Sequence, residues 1–249
     1  MKNYFWPSLI AILILLFGCS TSEKNDINTA EGAFERAQYF EKNERYDEAI
    51  TQYMSVKNKH PYSKFSLEAE LRVADIYFKQ ENYIEAESAY KLFKEFHPRH
   101  PKIDYVTFQL AMSYYRQLPK TPDRDLSLAD KAISLFTEVI QSFPRSKYVA
   151  QAKKNKTECR KKLANKELYI ADFYYIRDMY LSALGRFKYL LRNFPRLGFE
   201  PKALYGAAVS SYKIKELEKA RSYYKRLVSR YPDSQQAKKI KNELRNELQ

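Results

Sequence analysis

Glycine is scarce in this chain, with five in 249 residues. A sequence so poor in the residue that hairpins and tight turns favour is not built from short strands, and its apolar residues recur at helical spacing instead. Cysteine is scarcer still, at two residues, which excludes a disulfide framework and leaves packing alone to hold the fold. Histidine occurs three times. Two of the three, His97 and His100 in H-P-R-H-P, stand among prolines that forbid a helix presenting both on one face. No further ligand cluster accompanies them, so a turn is expected there and not a metal site. No G-x-S-x-G, H-E-x-x-H, P-loop or G-x-G-x-x-G occurs, and no pair of glutamates stands out as an acid and a base. The chain is therefore expected not to be an enzyme and to need no cofactor. Long apolar runs are missing too. Leu9 to Phe17 is the strongest, and a membrane-spanning helix needs roughly 20 apolar residues.

What that short run does offer is a junction. Lys2 precedes it, Gly18 and Cys19 follow it, and polar residues start at Ser20. Residues 1–18 read as a signal peptide, and Leu16-Phe17-Gly18-Cys19 resembles the lipobox of bacterial lipoproteins. That resemblance implies cleavage before Cys19, diacylglycerol on its sulfur and an N-acyl chain, which together give stable anchoring. Ser20, in place of an aspartate, suggests the outer membrane. Residues 19–30 would then form a lipidated, flexible tether. The second cysteine, Cys159, is flanked by Glu158 and by Arg160-Lys161-Lys162, a setting that could activate a thiol. A small buried residue on a helix is the reading favoured here.

Charge is unevenly placed. Residues 20–144 carry 17 Lys and Arg against 20 Asp and Glu, whereas residues 145–249 carry 26 against 10. An exported, lipidated chain does not meet nucleic acid, so the basic half points to anionic lipid headgroups, to an acidic protein surface, or to a solvated face with no partner.

A repeat organises the rest. Ala49, Ala86, Ala132, Ala183 and Ala220 each precede a proline by twelve residues: Pro61, Pro98, Pro144, Pro195 and Pro232. Four residues after each alanine comes Tyr53, Tyr90, Phe136, Phe187 or Tyr224. The alanine admits a neighbouring backbone, the aromatic fills the space beyond, and the proline stops the helix. Upstream alanines (Ala37, Ala74, Ala111, Ala171, Ala208) mark a first helix in each pair, with Phe40, Tyr77, Tyr114 and Tyr174 three residues on and Ser211 breaking the pattern. The pattern resembles the tetratricopeptide repeat. It implies an all-α solenoid of five helix pairs, with one long helix linking pairs three and four. The expected blocks are 31–144 (three repeats), 145–235 (the long helix and two repeats) and 236–249 (a charged helix or tail), with a loop insertion at 118–127.

Four stretches narrow the resemblance: "HPRHPKIDYVTFQLAMSYY" (97–115), "DRD" (123–125), "SFPRSKYVAQAKK" (142–154) and "ELYIADFYYIRDMYLSALGRF" (167–187). With the lipobox and the repeats, they resemble the BamD family of outer-membrane assembly lipoproteins, from about residue 30 to 235. The resemblance implies a non-enzymatic scaffold on the periplasmic face of the outer membrane, docked through its C-terminal half on the POTRA region of the barrel protein BamA. Accessory Bam lipoproteins are implied as further partners. Arg186 matches an arginine used at the BamA contact. The N-terminal repeats are implied to receive segments of unfolded outer-membrane proteins, and Tyr62, Tyr77, Tyr105 and Tyr114 are the candidate groove residues. The very basic second half and the short insertion before "DRD" depart from the family pattern. A different repeat lipoprotein, such as a pilotin-like or cell-division adaptor, is the alternative.

Overall fold

The computed structural model describes residues 26–248, and all regular structure among them is helical. Cys19 and the signal-like segment lie outside the described residues. Eleven helices follow in order: α1 (Ala30–Lys42), α2 (Tyr46–Lys59), α3 (Lys64–Lys79), α4 (Tyr83–Phe96), α5 (Ile103–Arg116), α6 (Ser127–Ser142), α7 (Val149–Tyr175), α8 (Tyr180–Asn193), α9 (Glu200–Lys213), α10 (Leu217–Arg230) and α11 (Gln235–Leu248).

Each of the five repeat prolines falls two residues after a helix end, at α2, α4, α6, α8 and α10. The residues between (His60, His97, Phe143, Phe194 and Tyr231) take φ from −135° to −125° and ψ from 48° to 58°. A proline ring forces its predecessor out of the α region, so these stops are written locally. The turns inside the pairs use a different device. Glu44, Glu81, Asp178 and Lys215 each lie five residues before a repeat alanine and have φ between 57° and 64°. The left-handed conformation that usually calls for glycine is occupied by charged residues in all four.

The chain packs as two compact units that divide between Ile76 and Tyr77. In residues 26–76, Ala33, Phe34, Ala37, Phe40, Ala49, Tyr53, Val56, Ala69 and Ile76 form the core. Tyr53 is fully enclosed there, and its hydroxyl donates to Glu41 Oε2 at 2.6 Å. Burial and that carboxylate both push the phenol upward from its usual range. Thr29 caps α1 by accepting from the Gly32 amide.

In residues 77–248 each helix packs on the next from α4 to α11, and α5, α7, α9 and α11 also touch in series. The first helices of successive pairs thus form one layer, with α11 ending it. α11 is a packed helix and not a tail, because Ala237 and Ile240 bury completely against α9 and α10. All ten repeat alanines are fully buried, and the five aromatics of the second helices are buried as well. Ser211, where the aromatic pattern fails, is fully buried as well. It belongs to a run of small buried residues, Gly206 to Ser211, on α9, which touches α7, α8, α10 and α11. Small side chains are what allow four neighbours around one helix.

The long helix α7 covers 27 residues, joining the basic insertion to the first helix of the fourth pair. Two of its lysines hold the 118–127 loop by donating to carbonyls, Lys162 Nζ to Pro119 O at 2.8 Å and Lys166 Nζ to Arg124 O at 3.0 Å. Cys159 is fully buried on the same helix, and burial pushes its thiol up to about 12. A thiolate nucleophile is not available there.

Candidate partner-binding face

Arg186 lies on α8, one residue before the core aromatic Phe187, so its side chain leaves the core at an angle. Its Nη1 donates to Glu167 Oε2 on α7 at 3.1 Å, with side chains 43% and 17% exposed. The guanidinium is therefore aimed by one carboxylate while further donors face outward. Such a half-exposed fork suits a second, bidentate acceptor.

α7 presents a second feature at its C-terminal end. Ala164, Leu168 and Ala171 are buried, and on the opposite face Tyr169, Phe173 and Ile176 follow at i, i+4 and i+7. All three are exposed, and Met179 and Leu181 in the turn and the start of α8 are exposed as well. The Arg177 guanidinium lies 3.7 Å from the centre of the Phe173 ring and donates to the Phe173 carbonyl at 3.1 Å, fixing that aromatic in place. A row of five large apolar side chains left in water along one helix end is the signature of a surface awaiting cover.

Between the first helices α7, α9 and α11 lies a depression of about 270 Å³, lined by residues that include Asp172, Tyr175, Lys202, Tyr205 and Lys239. Phe187 and Gly206 also line it, and a Cβ at Gly206 would overlap the Phe187 ring. Glycine is required here by close approach and not by backbone conformation. Tyr205 donates to Glu243 Oε2 at 2.7 Å, and Lys239 Nζ sits 4.9 Å from the Tyr205 ring centre. Burial and the Glu243 carboxylate push the Tyr205 phenol up to about 12. Desolvation raises the Asp172 carboxyl, and Lys202 opposes that shift.

Of the four candidate groove tyrosines, one belongs to the 26–76 unit and three to the 77–248 unit. Tyr62 is completely exposed at the α2–α3 turn, in the 26–76 unit. Tyr77 is half-buried on α3. Tyr105 is half-buried on α5, tilted against Tyr148 at 5.6 Å and edge-on to Tyr90 at 6.5 Å. Tyr114 is a correction. It is buried, with Lys131 Nζ 5.2 Å from its ring centre, and its phenol is pushed up to about 12 by burial and by a hydrogen bond with Glu87. Nine residues along α5 is half a turn out of phase, so Tyr105 and Tyr114 face opposite ways. His97 and His100 both set their rings edge-on to Phe93, at 4.9 and 5.0 Å. The apolar row on α7 was open to sequence reading as an i, i+4, i+7 pattern opposite the alanine face, whereas Gly206 and the depression carried no local signal.

A model of the outer membrane lipoprotein family YfiO matches residues 26–204. The chain belongs to that family. A tetratricopeptide-repeat model matches residues 202–234, the fifth helix pair, so the chain is a repeat protein of this class. Among curated relatives, the outer membrane protein assembly factor BamD of Rickettsia prowazekii is 28% identical over 230 residues, covering 91% of each chain. That of Neisseria gonorrhoeae is 25% identical over 226 residues, covering 84% of each. That of Vibrio cholerae is 25% identical over 206 residues, covering 78% of this chain and 85% of the relative. Membership places the chain among outer-membrane-associated proteins. Among the described residues, no helix is long and apolar enough to cross a membrane.

Proposed function

We propose that this chain is a non-enzymatic scaffold lipoprotein of outer-membrane β-barrel assembly, held at the periplasmic face by diacylglycerol and an N-acyl chain on Cys19. Its C-terminal half docks on the POTRA region of a BamA-type barrel protein, and its N-terminal repeats receive segments of unfolded outer-membrane proteins. Accessory lipoproteins of the same machinery are further partners. The observation that carries this reading is the exposed row Tyr169, Phe173, Ile176, Met179 and Leu181 on α7 and α8. It lies inside the family-matched region and on the two helices joined by the Arg186–Glu167 pair. An apolar centre with an arginine fork is the composition of a protein interface.

The test is affinity purification of the tagged chain from solubilised outer membranes. A POTRA-bearing barrel protein should be recovered with the wild-type chain, and Arg186→Glu and Phe173→Ser should each reduce that recovery without loss of helical circular dichroism. Reproducible absence of such a partner would overturn the scaffold reading. Recovery indifferent to both substitutions would overturn the assignment of this face.

A further inference from the structure

A second depression in the C-terminal unit differs from the first in its chemistry. It has a volume of about 510 Å³ and is lined by Gly185, Lys188, Tyr189, Leu191, Arg192, Tyr223 and Arg226. These residues belong to α8 and α10, the second helices of pairs four and five. Three cations line it and no carboxylate does. Several other cations of the basic half are engaged. Arg160, Lys162 and Lys166 donate to backbone carbonyls. Lys161, Arg186, Lys219 and Arg221 pair with glutamates. Among the described residues, Lys188, Arg192 and Arg226 enter no such ion pair. The spacing is that of a built surface: Lys188 and Arg192 are i and i+4 on α8, and Tyr223 and Arg226 are i and i+3 on α10, with the Arg226 guanidinium 5.8 Å from the Tyr223 ring centre. Leu191 and Tyr223 pack against the cores of both neighbouring helix pairs, so the base of the depression is fixed.

We infer that this depression binds the phosphate headgroup of an anionic membrane phospholipid. Three cations lining one depression with no carboxylate among its lining residues match a phosphodiester. Two tyrosines and a leucine match the amphipathic zone beneath it, where aromatic rings settle. An acidic protein surface would need the cations but not the aromatic lining, and free phosphate would need neither the breadth nor the apolar wall. The inference rests on the family's association with the outer membrane and is independent of docking to a barrel protein.

The probe is dihexanoyl phosphatidylglycerol, titrated into the full lipidated chain in neutral detergent and read by native mass spectrometry. Dihexanoyl phosphatidylcholine serves as the zwitterionic control. Each basic residue near an anionic surface contributes about fivefold in affinity, so phosphatidylglycerol should bind at least about tenfold more tightly than phosphatidylcholine. Lys188→Glu combined with Arg192→Glu should abolish that preference, and Arg226→Gln alone should weaken it. Lys153→Glu combined with Lys154→Glu, which reverses as much charge at exposed positions on α7, should leave it in place. Equal losses in the two charge-reversed variants would show attraction to the whole surface and overturn the site. Glycerol phosphate competing as well as the lipid would assign a free-phosphate site instead, and a polyglutamate peptide displacing the lipid would assign an acidic protein partner. Either result overturns the inference.

Discussion

Gly206→Ala separates two effects of opposite sign at one atom. In an exposed helix interior the change stabilises by about 1 kcal/mol, because alanine has less backbone entropy to lose. On α9 the added methyl would overlap the Phe187 ring. That ring is 2% exposed and is itself one of the five repeat aromatics, so its only room to yield is toward the depression that it lines. Overpacking of this kind costs about 1–3 kcal/mol, and a hard overlap with a buried ring belongs at the upper end. Net destabilisation of about 1–2 kcal/mol is expected, which lowers the melting temperature by about 2–8 °C in a chain of this size. Phe187→Leu alone leaves a cavity and also destabilises, but the double variant should recover part of the loss because the leucine leaves room for the methyl. Urea unfolding followed by circular dichroism on all four proteins gives the coupling energy, expected at about 1–2 kcal/mol. A Gly206→Ala chain more stable than wild type, or strict additivity in the cycle, would refute the claim that Gly206 exists to admit Phe187.

Three further outcomes follow from the packing. Glu81→Gly and Lys215→Gly, at left-handed backbone positions, should each stabilise by about 0.5–1 kcal/mol in the same unfolding assay, whereas glycine at the helical Glu85 should destabilise. The Cys159 thiol is raised from 9.0 to about 12, so the native state holds its proton where the unfolded state releases it. Stability from this group is complete below pH 9 and is lost as pH climbs toward 12. At pH 8 a maleimide should label Cys159 in urea but not in the folded chain, as mapped by peptide mass spectrometry. Replacing Lys162 and Lys166 with methionine removes both donors to the 118–127 loop, and limited proteolysis should then cut that loop faster while the helices remain intact.

The repeat was legible because its parts are local. An alanine, an aromatic four residues on and a proline eight residues beyond that specify a helix face and a helix stop within one stretch of chain. The helix ends fall where the prolines placed them. The long helix was legible for the same reason, since nothing from Val149 to Tyr175 breaks it. The groove tyrosines were less so. Tyrosine at a first-helix position is consistent with both core and surface, and Tyr114 went to the core because half a turn on α5 turned it away from Tyr105.

By itself, the sequence determined the helical class, the five pairs, the proline stops that end them and a strongly basic second half, all consequences of periodicity, steric stops and composition. Tertiary structure alone decided how that charge is used. Lys162 and Lys166 met carbonyls of the 118–127 loop and Arg186 met a carboxylate on α7, while Lys188, Arg192 and Arg226 met no such acceptor and line one depression. It also brought Asp172, Tyr205 and Lys239 together from three helices and set Gly206 under Phe187. A partner contributed by a different repeat leaves no mark in the local pattern, because the distance that matters is across the stack and not along the chain.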